Sequence, residues 1–351
     1  MQRRGTGLTV AADAVTLRRS IVRSLHSASA IRLEEGPTIA APFFGYHLPN
    51  YSFPGTADNA LFDHVAEMAV AAEAAGFDMI TVMDHFYQIR GVGAETEPML
   101  ESYSTLAALS QRTKTIFLSA LVTGVTYRNP ALLAKMVTTL DVLSKGRAIL
   151  GLGAAWNEDE HAGYGFEFPP IGRRMDRLDE AAQIAKLMFK EDRPTFKGRY
   201  FHIDRALNVP RPIQPGGPRL LIGGAGEQRT LRIVAKYADI SNWFPGLEDT
   251  KRKLGILERY CEEEGRDPAT ILKTVMSPCL LALDEAQARQ IKERIPPERL
   301  ATTGDPVLPD RAAELLRPYL DAGIGGFTFG NPNLSTPELL AAAGELKRQL
   351  S

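Results

Sequence analysis

The chain has 351 residues, of which 44% are hydrophobic and 24% charged, the composition of an ordinary globular protein with a large core. Its 41 basic and 42 acidic side chains leave a net charge of -1, which excludes an overall basic field for nucleic acid or an anionic membrane. No stretch reaches the roughly 20 apolar residues that a membrane span needs. Cys261 and Cys279 form no metal or redox spacing, which favours a reducing compartment such as the cytoplasm.

The beginning of the chain differs from the rest in charge. Residues 1–33 contain six arginines and one acid, a net charge of +5, among many Ser, Thr and Ala residues. That composition resembles an organelle transit peptide; the simpler interpretations are a disordered tail, or translation begun upstream of the natural start. We therefore expect a basic, disordered extension over residues 1–40 and one catalytic domain over residues 41–351.

Eight short apolar runs follow in chain order and predict strands. None exceeds ten residues, and none shows strict polar alternation, as is typical of strands buried on both faces. The runs are FFGYH (43–47), DMITVM (78–83), IFLSALV (116–122), RAILGLG (147–153), RLLIGG (219–224), DISNWF (239–244), TVMSPCLLAL (274–283) and GIGGFTFG (323–330).

The segments between these runs carry the start and stop signals of helices. Asn129 can cap a helix, Pro130 suits its first position, and Gly146 follows its end. Thr336 before Pro337 opens the last segment in the same way. Eight β-α units of this kind favour an α/β fold of the (β/α)8 TIM-barrel type over a doubly wound open sheet.

Two stretches interrupt the alternation and predict inserts. One, residues 193–219, is rich in Pro and Gly and lies between the fourth helix and the fifth strand. The other, residues 291–311, lies between the seventh and eighth strands. An insert in a barrel either covers the mouth of the active site or lies on the outer surface, and both arrangements stay open here.

Candidate catalytic residues are sought at the carboxyl ends of the strands, where barrel enzymes carry their chemistry. Asp84 and His85 end the second strand, and an acid next to an imidazole can hold a cofactor ring or move a proton. The alternative for this pair is a surface cap on the next helix. His47, at the end of the first strand, and Trp156, after the fourth, are weaker candidates for contact with a substrate.

The acidic cluster after the fourth strand invites a metal site, which we reject. Four consecutive residues cannot share one face of a helix, so Glu158, Asp159, Glu160 and His161 cannot converge on one ion. We expect instead a solvated first helical turn, in which acids are favoured by the helix dipole.

Two glycine-containing turns are candidates for contact with a ligand. Gly223, Gly224, Ala225 and Gly226 join the fifth strand to a helix, and such a turn lets backbone N–H groups approach a phosphate. The pair Gly124-Val125, after the third strand, suggests a bulge where the backbone bends or faces a ligand.

Several long motifs resemble one known family, the bacterial luciferase-like superfamily, and within it the branch that uses the deazaflavin coenzyme F420. The resemblance extends from about residue 41 to residue 350, with its motifs in the order of the family. They are VMDHF (82–86), LVTGVTYRNPALLAKMVTTLDVLSKGRAILGLGAAWNEDEH (121–161), FPPIGRRMDRLDEA (168–181) and LLIGGAGEQRTLRIVAKYAD (220–239).

The resemblance implies a (β/α)8 barrel, usually a homodimer, with a flavin or deazaflavin at the carboxyl-end mouth. It implies that Asp84 and His85 lie against the ring and that Asn157 contacts the cofactor near its ribityl chain. It also implies that the backbone of residues 223–226 binds the cofactor phosphate. A non-prolyl cis peptide, here Gly124-Val125, supports the back of the ring in this family.

One departure from the family matters for the substrate. The sugar-phosphate dehydrogenases of this branch carry an acid after the fourth strand, where this chain has Ala154. That carboxylate is the acid partner proposed for alcohol oxidation, so its absence places this substrate class in doubt. His85 or a residue of an insert would then have to handle the proton.

Three functional hypotheses follow from the resemblance and the residues. The first is F420-dependent hydride transfer to or from a small organic substrate, with Asp84 orienting and His85 serving as the general acid or base. The alternative is an FMN-dependent monooxygenase that receives reduced flavin from a separate flavin reductase. A third, of another class, is a protein that binds or stores the cofactor without catalysis.

Overall fold

Eight parallel strands pair side by side and close into a barrel. The computed structural model describes residues 41–351 except 54, 296–299, 301–302 and 331–335. In chain order the strands are β1 (Phe43–Leu48), β2 (Met79–Val82), β3 (Phe117–Ala120), β4 (Thr123–Gly124), β5 (Ala148–Gly153), β6 (Phe196–Lys197), β7 (His202–Ile203), β8 (Arg219–Gly223), β9 (Ile240–Trp243), β10 (Leu272–Met276), β11 (Leu280–Leu281), β12 (Pro306–Val307) and β13 (Gly326–Phe329). The barrel order is β1-β2-β3-β5-β8-β9-β10-β13, and β13 pairs with β1 to close the ring. The predicted TIM barrel is confirmed.

Helices separate the barrel strands and cover the outside of the barrel. They are α1 (Leu61–Ala74), α2 (Ser102–Arg112), α3 (Pro130–Ser144), α4 (Glu158–Tyr164), α5 (Ile171–Lys190), α6 (Thr230–Tyr237), α7 (Leu247–Glu263), α8 (Glu285–Arg294), α9 (Pro309–Asp321) and α10 (Pro337–Gln349). Asn129 caps α3 by accepting the N–H groups of Ala131 and Leu132, and Thr336 caps α10 by accepting that of Leu339. Both predicted helix starts are therefore correct.

Side chains fill the inside of the barrel in layers. Near the amino ends of the strands, an apolar cluster contains Phe43, Met79, Ile149, Leu221 and Ile240, all buried. Closer to the mouth the interior becomes polar. There the Asn242 amide of β9 donates to the hydroxyls of Thr274 (2.9 Å) and Thr328 (3.2 Å). The barrel is thus a packed core with a polar floor beneath its mouth.

The seventh apolar run is shorter as a strand than predicted. We expected one strand over 274–283, but β10 ends at Met276 and the chain then leaves the barrel. Pro278 has no backbone N–H to donate to a neighbouring strand, which explains why the ladder stops there. Leu280 and Leu281 form the separate strand β11, which pairs with β12.

The two predicted inserts both contain short strands that are not part of the barrel. The first contains the antiparallel hairpin β6–β7 and packs on the outside, where Glu180 of α5 accepts the N–H groups of residues 199–201. Its Asn208 donates to Thr138 of α3 and to the Met188 carbonyl of α5. The second insert, residues 291–311, lies between β10 and β13 and contains the end of α8 and the strand β12, which pairs with β11.

The proposed extension over residues 1–40 lies outside the described residues. Within the part of the chain that the structure describes, no helix is long and apolar enough to cross a membrane.

Candidate active site

His85 and Glu160 form a hydrogen-bonded pair at the carboxyl end of the barrel. His85 lies in the loop after β2, with 14% of its side chain exposed, and Glu160 belongs to α4, which follows β5. The His85 Nδ1 lies 2.6 Å from the Glu160 Oε2. The loop after β2 and the first turn of α4 thus meet at this pair, whose two residues are 75 positions apart in the chain.

Glu160 is buried, and both of its carboxylate oxygens are occupied. Besides His85, Oε2 accepts the Tyr127 hydroxyl at 3.0 Å, and Oε1 accepts the backbone N–H of Phe86 and that of Tyr87 at 3.1 Å. Burial alone raises the pKa of the Glu160 carboxyl, but its bond to His85 and the two N–H groups outweigh burial and hold the pKa below its usual range. The carboxylate is therefore ionised and can only accept hydrogen bonds, so Nδ1 of His85 carries a proton.

The acidic cluster is solvated only in part, which corrects our expectation. Glu158 and Asp159 are exposed as predicted, but Glu160 and His161 are fully buried. His161 donates from Nδ1 to the Asn157 carbonyl and lies 2.6 Å from the Thr126 hydroxyl through Nε2. The start of α4 therefore directs Glu160 and His161 inward, where both side chains contact neighbouring loops. Among the described residues no group of three or more His, Cys, Asp and Glu side chains is placed to hold a metal ion.

Asp84 lies behind His85 and faces the protein rather than the mouth. Its side chain is 1% exposed, and Arg128 of the β4–α3 loop approaches both of its oxygens, at 2.6 and 3.1 Å. The Ser102 hydroxyl, at the start of α2, donates to Oδ1 at 2.7 Å. Arg128 and Ser102 therefore engage both oxygens of Asp84. The position against a cofactor ring that the resemblance implies for Asp84 stays a prediction.

The cis peptide implied for Gly124-Val125 occurs elsewhere in the same loop. The structure has a non-prolyl cis bond between Leu121 and Val122, just after β3. Gly124 pairs in register with Gly153 as part of β4, and the Val125 N–H donates to the Gly153 carbonyl. The predicted position of the cis bond was wrong. Pairing with β5 resumes at Thr123, before Gly124, so the bulge lies earlier in the chain.

Gly153 and Gly223 leave room for the side chain of Val122, the residue after the cis bond. A Cβ at Gly153 would lie 2.6 Å from a methyl group of Val122, and one at Gly223 would lie 2.8 Å from the same atom. Gly223 is therefore required for packing against Val122. The bulge after β3 and the ends of β5 and β8 together form a closely packed surface at the mouth.

The rest of the glycine turn is open. Gly224 has a φ of 99°, in the left-handed region that favours glycine, and Gly224 and Gly226 are exposed. Among the described residues nothing accepts the N–H groups of Ala225 and Gly226. Helix α6 begins four residues after Gly226, at Thr230. The turn therefore presents unused backbone donors shortly before α6, and both backbone N–H groups and a helix N-terminus favour an anion.

Asn157 and Trp156 lie beside the His85–Glu160 pair. Asn157 is the N-cap of α4, and its side-chain oxygen accepts the Glu160 N–H at 3.4 Å. Trp156 is 61% exposed and meets the His85 ring edge-on, with 5.4 Å between ring centroids. Phe244, directly after β9, is 73% exposed at the same end of the barrel. Exposed aromatic side chains thus lie at this end of the barrel, and one of them, Trp156, contacts the His85 ring.

His47 belongs to the barrel floor rather than to the rim. It is 7% exposed, and its Nδ1 lies 2.8 Å from the Thr81 hydroxyl of the neighbouring strand. A Cβ at Gly330 would lie 3.2 Å from the His47 ring and 2.6 Å from the Met276 methyl group. His47 therefore lies inside the barrel, at the polar floor beneath the mouth and below the level of His85.

Glu160 was not predicted from the sequence to belong to this candidate site. Its position three residues after the Asn157 cap is that of the acid in a capping box, which normally turns back to its own helix start. The side chain instead reaches across to the loop after β2. No local sequence pattern predicts that contact, because it depends on how two distant segments pack. Phe244 was not predicted either, since only its exposure in the structure identifies it.

A closed parallel barrel with an ionisable pair at the carboxyl ends of its strands defines a (β/α)8 barrel enzyme. The model of the luciferase-like monooxygenase family matches residues 43–340. The chain belongs to this family, which confirms the predicted family and enzyme class.

Curated relatives and solved structures agree with this assignment. An F420-dependent glucose-6-phosphate dehydrogenase of Intrasporangium calvum is 31% identical over 310 residues, or 78% of this chain and 88% of the relative. One of Amycolatopsis mediterranei is 29% identical over 315 residues, or 80% of this chain and 92% of the relative. An F420-dependent secondary alcohol dehydrogenase in complex with an F420-acetone adduct superposes with a TM-score of 0.73 at 21% identity, covering 89% of this chain and 99% of that one. The EDTA monooxygenase of Chelativorans sp. BNC1 superposes with a TM-score of 0.75 at 16% identity, covering 88% and 94%.

Proposed function

We propose that this protein is an F420-dependent oxidoreductase that transfers a hydride to or from a small organic substrate, with His85 as the acid or base. The observation that carries the proposal is the His85–Glu160 pair, which leaves Nε2 of His85 for proton exchange beside the exposed Trp156. The curated relatives, named as F420-dependent dehydrogenases, support the choice of cofactor.

The residues at the mouth fit a deazaflavin with a phosphate. The unused N–H groups of Ala225 and Gly226 would hold the phosphate, with Gly223 and Gly224 shaping the turn, and Asn157 would contact the ribityl chain. The packed surface formed by Val122 against Gly153 and Gly223 would lie behind the ring, and Gly124 and Val125 complete that bulge. When bound, the deazaflavin supplies the carbon that gives or accepts the hydride.

His85 then moves the proton that accompanies the hydride. In the oxidising direction, Nε2 accepts the hydroxyl proton of the substrate; in the reducing direction, Nε2 returns a proton to the carbonyl oxygen. Trp156, whose ring contacts that of His85 edge-on, would help a bound substrate to cover this atom. His47, lower in the barrel, would contact the end of a substrate that reaches the floor.

Asp84 has a positioning role in this proposal instead of a catalytic one. Its ion pair with Arg128 joins the loop after β2 to the loop after β4, and its bond from Ser102 joins both to α2. Because His85 is the next residue in the chain, this network fixes the backbone from which the imidazole extends.

The substrate we propose is a small uncharged alcohol or carbonyl compound. Ala154 provides no carboxylate at the end of β5, and the aromatic side chains of Trp156 and Phe244 are exposed at the mouth. Apolar rings favour an apolar substrate surface over a sugar phosphate. A sugar phosphate that reduces F420 as efficiently as any simple secondary alcohol would contradict this part of the proposal.

The alternative is an FMN-dependent monooxygenase supplied by a separate flavin reductase. The similarity in fold to the EDTA monooxygenase keeps this alternative in view. The two functions differ in oxygen use, since a monooxygenase consumes oxygen with its substrate and a hydride-transfer enzyme works equally well without oxygen.

Two further features of the proposal concern the setting of the enzyme. We propose a homodimer, as the family resemblance implies, and a cytoplasmic location. Cys261 and Cys279 are both free and buried, which agrees with a reducing compartment.

The test is replacement of His85 in the full-length protein. With F420 and a panel of secondary alcohols and glucose 6-phosphate, we expect His85→Ala to lower kcat about 100-fold or more, because the proton loses its acceptor. The Kd for F420 should stay within about threefold, since the N–H donors of the glycine turn are unchanged. Unchanged turnover in His85→Ala would refute the role of His85, and oxygen-dependent turnover with FMN would support the alternative function.

A further inference from the structure

We propose that Glu160 is a positioning residue that keeps the proton of His85 on Nδ1, so that Nε2 is the atom that exchanges a proton with the substrate. The inference rests on the acid-base role proposed for His85 and goes further by naming the group that controls it. Glu160 touches neither the substrate nor the cofactor in this proposal, and it acts entirely through the imidazole.

The geometry gives one carboxylate control of both the ring and its backbone. Oε2 of Glu160 lies 2.6 Å from Nδ1 of His85, while Oε1 accepts the N–H groups of the next two residues, Phe86 and Tyr87. The imidazole and the chain that carries it are therefore held by the same group. The His85 ring also contacts Trp156 edge-on, which limits rotation about the side-chain bonds of His85.

Besides His85, neutral groups also stabilise the negative charge on Glu160. Three of its four donors are neutral: the Phe86 and Tyr87 N–H groups and the Tyr127 hydroxyl. Burial, followed by the nearby Glu160 charge, raises the pKa of Tyr127, so this hydroxyl keeps its proton and goes on donating. Asp84 cannot take over this function, because Arg128 and Ser102 occupy its oxygens.

The proton count shows what this arrangement does during oxidation of an alcohol. The substrate loses its C–H hydride to the cofactor and its O–H proton to Nε2, and the C–O single bond becomes a carbonyl. His85 becomes an imidazolium, so the His85–Glu160 pair goes from one negative charge to none. Reduction of a carbonyl runs the same steps backwards. Glu160 thus provides, through His85, the negative charge that Ala154 does not supply.

The direct test needs neither cofactor nor substrate. The full-length protein is labelled with ¹⁵N-histidine, and long-range ¹H–¹⁵N correlation spectra in mildly alkaline buffer report which nitrogen of each imidazole carries the proton. The chain has six histidines, and a His85→Gln sample identifies the signals of His85. We expect protonated Nδ1 and bare Nε2; a proton on Nε2 with bare Nδ1 would overturn the proposal.

Variants separate this role from a general structural one. Glu160→Met has a similar length but no acceptor, and it should lose the Nδ1–H form and lower kcat with F420 about tenfold or more, with the KM for substrate nearly unchanged. Tyr127→Phe, the matched control, removes one donor to Glu160 but no contact with His85, and should keep the Nδ1–H form.

The outcomes also separate this inference from the proposed function. A folded Glu160→Met protein that keeps the wild-type Nδ1–H signal would refute the role of Glu160. If that variant fails to fold, the wild-type spectrum still decides. Absence of any turnover with F420 would refute the proposed function and leave the tautomer result standing on its own.

Discussion

At the scale of single residues, the candidate site includes a buried ion pair formed by Asp84, the residue before His85, and Arg128. Asp84 and Arg128 are only 1% and 11% exposed in their side chains, and two hydrogen bonds join them. Arg128 also reaches Glu101, whose side chain is 41% exposed. Removing one partner of a buried pair leaves a charge without compensation, whereas loss of an exposed partner matters much less.

We predict that Asp84→Asn lowers the free energy of unfolding by about 3 kcal/mol, because Arg128 stays buried without its main partner. Glu101→Gln, the matched control on the exposed side of Arg128, should cost about 1 kcal/mol or less. Urea denaturation of both variants measures the difference. Equal effects would mean that Asp84 is no more important to the pair than its exposed neighbour.

Residue-level prediction from the sequence succeeded where position in the chain decides the outcome. His85 lies in the loop just after β2, so its place at the mouth follows from the fold alone. Glu160 lies only three residues into a helix, yet its contact with His85 depends on the relative placement of two loops. That information resides in the packing of the barrel and has no local signature in the sequence.

At the scale of elements, a single glutamate links α1 to the start of β3. Oε1 of Glu73 accepts the N–H groups of Lys114 (2.8 Å), Thr115 (2.6 Å) and Ile116 (2.9 Å). Burial raises the pKa of Glu73, but these donors outweigh it and lower the pKa below its usual range. The ionised form therefore stabilises the fold.

We predict that Glu73→Gln lowers the free energy of unfolding at neutral pH by about 1–2 kcal/mol, because the N–H groups lose a charged acceptor. A lowered folded-state pKa contributes stability above the unfolded-state pKa, and this contribution disappears as the pH falls through the folded value. The gap between wild type and variant should thus narrow below about pH 4.5. Urea titrations across pH measure it, and a gap independent of pH would contradict the account.

A glycine within α7 offers a prediction in the stabilising direction. Gly255 is exposed near the middle of this helix, and a Cβ built there meets no atom within 4 Å. Gly255→Ala should raise the free energy of unfolding by about 0.5–1 kcal/mol, because alanine has less freedom to lose in the helix. Gly151→Ala is the contrasting control, since its Cβ would lie 2.0 Å from the Ala120 carbonyl oxygen. Thermal denaturation should show opposite signs.

Strands that are buried on both faces could be predicted from the sequence, but the residues at which strands end could not. The barrel strands are buried on both faces, so continuous apolar runs mark them. Where an apolar run crosses from one sheet to another, as after Met276, hydrophobicity stays high while the pairing changes. The bulge after β3 was misplaced for the same reason: Leu121, Val122 and Thr123 look like a continued strand.

At the scale of the whole molecule, ring closure brings together groups from distant parts of the chain. The mouth combines the ends of β2, β5, β8 and β9, which span more than 150 residues of sequence. Composition and periodicity were enough to predict that closure. They do not encode the shape of the pocket, which arises from exposed side chains such as Trp156 and Phe244 on the connecting loops.

The central claim is that this barrel binds F420 in order to transfer a hydride. Its most direct test is titration of the full-length protein with F420 and with FMN side by side, following heat release or fluorescence. We predict micromolar or tighter binding of F420 and much weaker binding of FMN. Micromolar binding of FMN without binding of F420 would contradict the claim.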